Sequence, residues 1–238
     1  MSTVLQIGSQ TVTADEILTR IKHYQLLPKL RRELIIDQAI ATIECTPDQI
    51  DQAQQQLIAE YHLDSDEAKQ AFCRSRDLTI EDLEALLTRL IRIEKFKHQN
   101  WDAKLPSYFL QHKQWLDQVI YSFIRLKDEE IAREFYFRLH EQEQSFAELV
   151  QEYSQDAKAQ IGGVVGPVEL GAIHPELADL LAISQPGQLW HPIPMGDWLL
   201  IVRLETLIPA QLDAAMRQRL LDELFEAWVQ EQMERLKA

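Results

Sequence analysis

The sequence predicts an α+β protein: a helical body that contains an inserted module of the order β-α-α-β-α-β-β. Three observations lead to this prediction. Helical periodicity dominates up to about residue 113, alternation of apolar and polar residues begins near Asp117, and one long amphipathic stretch runs from Pro209 to Leu236. Hydrophobic residues make up 46% of the 238 residues and charged residues 26%, a composition typical of folded globular domains.

The N-terminal part is predicted to begin with a small hairpin and to continue as helices. Val4–Ile7 and Thr11–Thr13 each alternate, with Gly8 and Ser9 as the turn between them. Helix starts are indicated by side chains suited to the N-cap, followed by proline or by an acidic residue three positions on. These caps are Thr13, Thr46, Asp64 or Ser65, and Thr79.

Apolar residues in this part recur at helical spacing, which indicates helix faces that pack inward. One such stripe consists of Leu30, Leu34, Ile36, Ile40 and Ile43. The closing stretch Pro209–Leu236 carries many large apolar side chains and therefore needs a partner surface. We expect it to pack on the N-terminal helices, with a homodimer through this helix as the alternative.

The inserted module is predicted from alternation, capping residues and glycine or proline punctuation. Its elements are a strand at 117–126, helices at Asp128–His140 and Ser145–Tyr153, a glycine-rich strand at Gly162–Pro167, a short helix at His174–Ile183, and strands at Leu189–Ile193 and Trp198–Leu204. The expected domains are therefore 1–115, 116–207 and 208–238, with the last part packing on the first.

Charge and cysteine content narrow the class of partner. The formal net charge is −14, with 38 acidic and 24 basic residues, which makes a nucleic-acid partner unfavourable because phosphate backbones are repelled. Basic or weakly charged polypeptides suit such a surface better.

Cys45 and Cys73 lie in helical stretches and are expected to be free thiols. Neither these cysteines nor the seven histidines show the spacing of a metal site, so we expect no metal and no cofactor.

The N-terminal residues and the apolar runs bear on location. The first sixteen residues lack a basic start, an apolar core and a small-residue cleavage site, so no secretory signal is predicted and a cytoplasmic location is expected. The longest strongly apolar run, Trp198–Val202, is too short to span a bilayer.

An ordered set of short motifs runs through the module. These motifs are Phe146–Leu149, Tyr153-Ser154 with Asp156, Gly163–Gly166, Pro186–Gln188 and Arg203–Glu205. By these motifs, residues 117–206 resemble the parvulin family of peptidyl-prolyl isomerases. The helical flanks are similar in layout to the SurA-type chaperones, in which the N-terminal region and the last helix form one client-binding body.

The resemblance implies a site in which this chain departs from the family pattern. Parvulins bind the proline ring in an apolar pocket above two histidines and a nearby Cys or Asp. Asp156 matches the Cys or Asp position and is the implied catalytic residue. Phe123 stands at the first histidine position, and Leu200, or else Trp198, stands at the second. The implied substrate-binding residues are Phe123, Ile173, Leu177 and Leu200.

We call the residues at the two histidine positions, Phe123 and Leu200 or Trp198, the floor of the site. Their apolar character leads to the functional hypothesis. Rotation about an X-Pro bond faces a barrier of about 18–20 kcal/mol, and an apolar floor offers little to stabilise the twisted amide. We therefore expect a parvulin-class folding factor that binds unfolded or export-bound, proline-containing polypeptides, with weak or lost isomerase activity. The alternative is a cytoplasmic adaptor or assembly protein that holds one specific partner.

Overall fold

The chain divides into two compact units in a computed structural model that describes residues 3–7, 10–153 and 159–236. The first unit combines Met1–Leu105 with Ala214–Ala238, and the second is Pro106–Asp213. Within the second unit, Gly171 lies so close to Trp115 that an added Cβ would stand 3.1 Å from the Trp115 carbonyl oxygen. This contact explains why residues 106–115 belong to the second unit. The sequence-based limits 1–115, 116–207 and 208–238 stay predictions of domain limits.

The elements follow in the predicted order, helices first, then the mixed module, then a final helix. They are β1 (Thr3–Ile7), β2 (Gln10–Thr13), α1 (Ala14–His23), α2 (Leu27–Ile40), α3 (Pro47–Tyr61), α4 (Asp66–Arg74), α5 (Ile80–Trp101), α6 (Leu105–Leu116), β3 (Gln118–Leu126), α7 (Glu129–His140), α8 (Phe146–Tyr153), β4 (Ala159–Glu169), a 3-10 helix (Leu170–Ala172), α9 (Pro175–Ala182), β5 (Ile193–Met195), β6 (Trp198–Ile208) and α10 (Ala214–Arg235). The predicted α+β fold with an inserted β-α-α-β-α-β-β module is confirmed.

The predicted helix caps are confirmed. Three helices begin with a capping box, at Thr13, Thr46 and Thr79. In each, the threonine hydroxyl accepts a hydrogen bond from the amide of the third helical residue, and the side chain of that residue accepts one from the threonine amide. Ser65 caps α4 by accepting from the amide of Ala68. Two backbone donors that a helix end leaves unpaired are thus satisfied at each capping box, so the start of each helix is defined locally.

The core of the first unit lies between α2, α5 and α10. Ile36, Ile40, Ile93, Phe225 and Val229 are buried together in it. This confirms that the final helix packs on the N-terminal helices of its own chain. The predicted inward stripe is wrong at its first two positions, Leu30 and Leu34, which are 38% and 56% exposed, because they lie away from the side of α2 that meets α5 and α10.

One buried ion group accompanies this core. The Lys97 side chain is 9% exposed, and its ammonium lies 2.6 Å from Glu94 and 2.5 Å from Asp222 of α10. Although burial opposes the charged form, the two carboxylates raise the pKa of Lys97 above its ordinary value. A buried cation with two partners ties α5 to α10 at a defined position.

The second unit is built on one antiparallel sheet of order β4-β3-β6-β5. Val119 and Tyr121 of β3 face α9 and the 3-10 helix, whereas Ile124 and Leu126 face α7 and α8. Both faces are therefore covered by helices, and β3 lies in the middle of the sheet.

Two predicted boundaries are wrong, one within the second unit and one at the start of the final helix. Residues 189–193 do not form a strand; Leu189 makes a single bridge to Arg203, and the strand begins at Ile193, because Pro192 lacks the amide that a continuous ladder needs. The final helix starts at Ala214 rather than at Pro209. The residues before Ala214 pair outside the helix, because the amide of Ala210 donates a hydrogen bond to the Asp117 carboxylate at 2.7 Å.

Replacement of Gly166 by alanine is expected to destabilise the second unit. Gly166 has φ +118°, and an added Cβ would lie 2.3 Å from the carbonyl oxygen of Val119. The free energy of unfolding should fall by about 2–4 kcal/mol, because both backbone strain and a steric clash result. Chemical denaturation measures it. Gly163→Ala is the matched control, since nothing lies within 4 Å of its added Cβ. Equal stability of the two variants would contradict this prediction.

Candidate functional site

Four of the five predicted site residues come together in one apolar cluster on the α9 side of the sheet. Leu177 and Leu200 are buried in it, and Phe123 and Ile173 pack against it while half-buried. These four residues come from β3, β6, α9 and the segment between the 3-10 helix and α9. Together they form a surface that is apolar and partly open to solvent.

Strand pairing places the floor of this cluster. Phe123 is the partner of Val202, and Arg125 is the partner of Leu200. Because paired residues of antiparallel strands point to the same face, Phe123 and Leu200 lie diagonally across β3 and β6 on one side of the sheet. The positions where the family resemblance implies two imidazoles therefore carry a phenyl ring and an isobutyl group.

Of the two residues left open for the last strand, Leu200 lies in the cluster. The ring of Trp198 instead lies beneath two cations, 5.6 Å from the Arg125 guanidinium and 4.6 Å from the Lys127 ammonium. Cation–π contacts of this kind are stabilised by the electron-rich ring face. One end of the site is therefore basic, although the chain as a whole is acidic.

The wall of the site includes residues that the sequence did not reveal. Val165, Ile193 and Met195 are half-buried and pack against the same cluster. The alternate spacing of Ile193 and Met195 could have indicated that both face the sheet core. The misplaced strand at 189–193 obscured this signal.

The site is open beside Phe123. Gly163 of β4 is the partner of Phe123, and a Cβ added to Gly163 would meet no atom within 4 Å. On the other side, the Tyr121 and Phe123 rings lie 5.9 Å apart, centroid to centroid. An apolar ring of a ligand therefore has aromatic surface to contact and space next to it.

Two further predicted participants have different outcomes. Asp156, the implied catalytic residue, lies outside the described residues, and its role stays a prediction. His191, two residues before β5, is a histidine that could in principle bring an imidazole to the floor from elsewhere. Its ring instead stacks on Tyr136 of α7 at 4.1 Å, and its Nε2 lies 3.3 Å from the Tyr136 hydroxyl. Tyr136 packs on the opposite face of the sheet, so His191 supplies no imidazole to the floor.

A polar group lies on that opposite face. The buried Ser122 hydroxyl donates to Glu205 at 2.5 Å, and Arg203 Nε donates to the same carboxylate oxygen at 2.9 Å. The Arg203 guanidinium also lies 5.1 Å above the Phe146 ring. This group satisfies a hydroxyl that would otherwise be buried without a partner, and we assign it a structural role.

The described residues show neither a cluster of metal ligands nor a helix that could cross a membrane. Within 3–7, 10–153 and 159–236, no group of three His, Cys, Asp or Glu side chains is placed to hold a metal ion. The described helices include none that is both long and apolar enough to cross a membrane. Cys45 and Cys73 are free thiols, as predicted.

Comparison with protein-family models gives the class of this module. Residues 125–206 match the rotamase model, described as PPIC-type PPIASE domain. The module is therefore a parvulin-type peptidyl-prolyl isomerase domain, and the recognition from sequence is confirmed. Ile173, Leu177 and Leu200 lie inside the matched segment, and Phe123 lies two residues before it. A comparison with curated proteins finds no match.

Solved structures similar to the whole chain include bacterial foldases. Peptidylprolyl isomerase (PrsA) from Bacillus cereus is 18% identical, with 98% of this chain and 88% of that chain covered and a TM-score of 0.46. PrsA from Bacillus anthracis is 19% identical, with 87% and 97% covered and a TM-score of 0.44. A SurA-like chaperone from Campylobacter jejuni is 13% identical, with 94% and 88% covered and a TM-score of 0.29.

The burial of Tyr121 makes the stability of the folded protein depend on pH in the alkaline range. Burial raises the pKa of Tyr121 above its ordinary value of 10.0. The unfolded tyrosine loses its proton first as pH rises, so the stabilisation is present below about pH 10 and is lost above it. Near-ultraviolet absorbance should show one tyrosine ionising late, and Tyr121→Phe should remove that late step. Tyr24→Phe, at an exposed position, should leave it in place. A late step that survives in Tyr121→Phe would disprove the assignment.

Proposed function

We propose that this protein is a folding factor of the parvulin class that binds proline-containing segments of unfolded polypeptides and isomerises them weakly or not at all. The observation that carries the proposal is the apolar floor at Phe123 and Leu200, within a cluster that is still partly open. Binding and catalysis place different demands on this floor.

Binding requires apolar surface and space, and the site supplies both. A proline ring that enters beside Phe123 would cover apolar surface of the cluster against which Ile173 also packs, and would remove that surface from water. Gly163 leaves the neighbouring position on β4 empty. Affinity for apolar residues next to proline is therefore expected without any catalytic group.

Catalysis requires polar groups that act on the twisted amide, and the floor lacks them at the two implied histidine positions. The amide loses its resonance in the transition state, so an enzyme must stabilise that state more than the planar one. Phenyl and isobutyl groups bind both states about equally. When both histidines of the family pair are replaced by apolar residues, no buried polar group is left without a hydrogen-bond partner. The fold is therefore retained while catalysis weakens.

The first unit offers a second surface for polypeptides. An open groove of about 710 Å³ runs between α3 and α5, with Leu87, Leu90 and Ile91 on one side. Gln49, Gln52 and Gln56 line the other side, and Glu60 and Glu94 stand among the lining residues. Amide side chains can donate to and accept from an extended backbone, and the carboxylates favour basic or uncharged segments. This groove supports the client-binding role of the helical body.

Ile173→Gln is expected to weaken binding of proline-containing peptides about tenfold, because apolar contact in the site is replaced by an amide. Ile183→Gln is the matched control, since Ile183 is 73% exposed and belongs to the same unit. Fluorescence anisotropy with labelled peptides gives the affinities, and thermal unfolding verifies that both variants are folded. A tenfold loss in the control, or none in Ile173→Gln, argues against this site.

The wild-type protein is expected to give little acceleration in a protease-coupled assay with proline peptides, and Asp156→Ala is expected to leave that rate unchanged. The reason is that a single carboxylate, in the role that the family resemblance implies for Asp156, cannot replace two histidines. Substantial turnover that falls in Asp156→Ala would refute the proposal of weak or lost activity.

Affinity capture with the full chain separates a folding factor from an adaptor. Many unrelated unfolded polypeptides favour the folding factor, whereas a single stoichiometric partner favours the adaptor or assembly protein. A cytoplasmic location and a homodimer through the C-terminal helix stay predictions, which fractionation and light scattering test.

A further inference from the structure

The segment from α1 into α2 differs in charge from the rest of the protein. Between Ile17 and Arg32 there are five Lys or Arg residues and no Asp or Glu, although the whole chain carries −14. The basic residues are Arg20, Lys22, Lys29, Arg31 and Arg32. A cationic stretch within an acidic protein marks a surface whose partner is negatively charged.

The same segment exposes large apolar side chains. Leu18, Tyr24 and Leu26 are 56%, 65% and 47% exposed, and Leu30 and Leu34 continue the exposed apolar side along α2. None of the residues of α1 is buried. We call these five residues, together with Lys22, Lys29 and Arg31, the α1–α2 surface. Five exposed large apolar residues between Leu18 and Leu34 indicate an interaction site.

Apolar and basic residues are arranged side by side on each helix. On α1, Ile17, Leu18 and Ile21 share one side at helical spacing, and Arg20 and Lys22 flank it. On α2, Leu30 and Leu34 are four residues apart, with Lys29 and Arg31 on either side of Leu30 in sequence. Long basic side chains in such positions can reach headgroups while their stems lie along an apolar layer.

The opposite side of α2 is already occupied. Ile36 and Ile40 are buried against α5 and α10. Arg32 belongs to this inner side, since its guanidinium pairs with Glu33 and with Glu226 of α10. The inner side of α2 is therefore used for folding, and the α1–α2 surface is a separate feature.

We propose that the α1–α2 surface docks on an anionic phospholipid bilayer, with the leucines and Tyr24 in the interfacial layer and the basic side chains on the lipid phosphates. An apolar strip with cations at its margins is the pattern of helices that lie in a membrane interface. An acidic polypeptide is the other anionic partner. Two grooves that would suit an extended polypeptide lie between α3, α4 and α5, and their lining residues are not part of the α1–α2 surface.

Cosedimentation of the full chain with vesicles tests the proposal directly. Vesicles of phosphatidylcholine mixed with phosphatidylglycerol should bind the protein, vesicles of phosphatidylcholine alone should bind it far less, and added salt should release it. Equal binding to both vesicle types, or to neither, would overturn the proposal.

Charge variants assign the binding to this surface. Lys22→Gln, Lys29→Gln and Arg31→Gln together should lower the partition coefficient about a hundredfold, since each basic residue near an anionic surface contributes roughly a factor of five. Arg74→Gln, Lys104→Gln and Arg133→Gln, at three exposed positions elsewhere, remove the same charge and should lower it less than threefold. Equal losses in the two triple variants would show that binding follows net charge and not this surface.

Apolar variants test insertion. Leu30→Gln with Leu34→Gln should reduce binding at least tenfold, because two side chains no longer enter the interfacial layer. Leu86→Gln with Leu110→Gln is the matched control, because both leucines are exposed and neither belongs to the α1–α2 surface or to the groove between α3 and α5. Circular dichroism verifies folding of every variant. Tight binding of polyglutamate by a protein that ignores anionic vesicles would assign the surface to a protein partner and overturn the proposal.

Discussion

The pairing of β3 with β6 is the constraint on which the second unit depends. It extends from Gln118 and Ile208 to Leu126 and Leu199, with one shift of register between Ile120 and Tyr121. Since paired residues share a face, this register alone decides which side chains meet α9 and which meet α7 and α8. A one-residue slip would turn Phe123 and Leu200 to the wrong side. Glu205 is the extra residue where the register shifts, and its carboxylate accepts the Ser122 hydroxyl there, so the shift is held by a buried hydrogen bond.

The site follows from this register and from two substitutions at its floor. A sheet face that carries Phe123 and Leu200 is a continuous extension of the hydrophobic core up to the solvent boundary. Such a floor stabilises the domain, and in our proposal it also binds apolar residues next to proline, whereas the side chains of Phe123 and Leu200 offer no polar group to a twisted amide. In that proposal, retention of the fold and weakening of catalysis have the same physical cause. His191 stacks on Tyr136 on the opposite face of the sheet and therefore adds no imidazole to this floor.

The first unit shows how one helix serves two surfaces. The inner side of α2 is buried against α5 and α10, where Ile36, Phe225 and the ion group of Lys97 hold the three helices together. Its outer side carries leucines and cations in an otherwise acidic protein. Inner contacts provide the stability that allows the outer apolar residues to remain exposed, since their burial is not needed for folding.

What the sequence determined by itself is the local part of this structure. Capping at Thr13 and Thr79, the alternation of β3, the order of the elements and the parvulin-type motifs all depend on residues close together in the chain, so they could be predicted. Tertiary contacts decided the rest. Leu30 was predicted inward because spacing defines a stripe but does not state where the partner helices lie, and Ile193 was missed because only strand pairing places it beside Leu200. The start of the last helix at Ala214 likewise depends on a bond from Ala210 to the distant Asp117. Periodicity and capping are properties of neighbouring residues, whereas burial and the composition of a site are set by partners that are far apart in sequence.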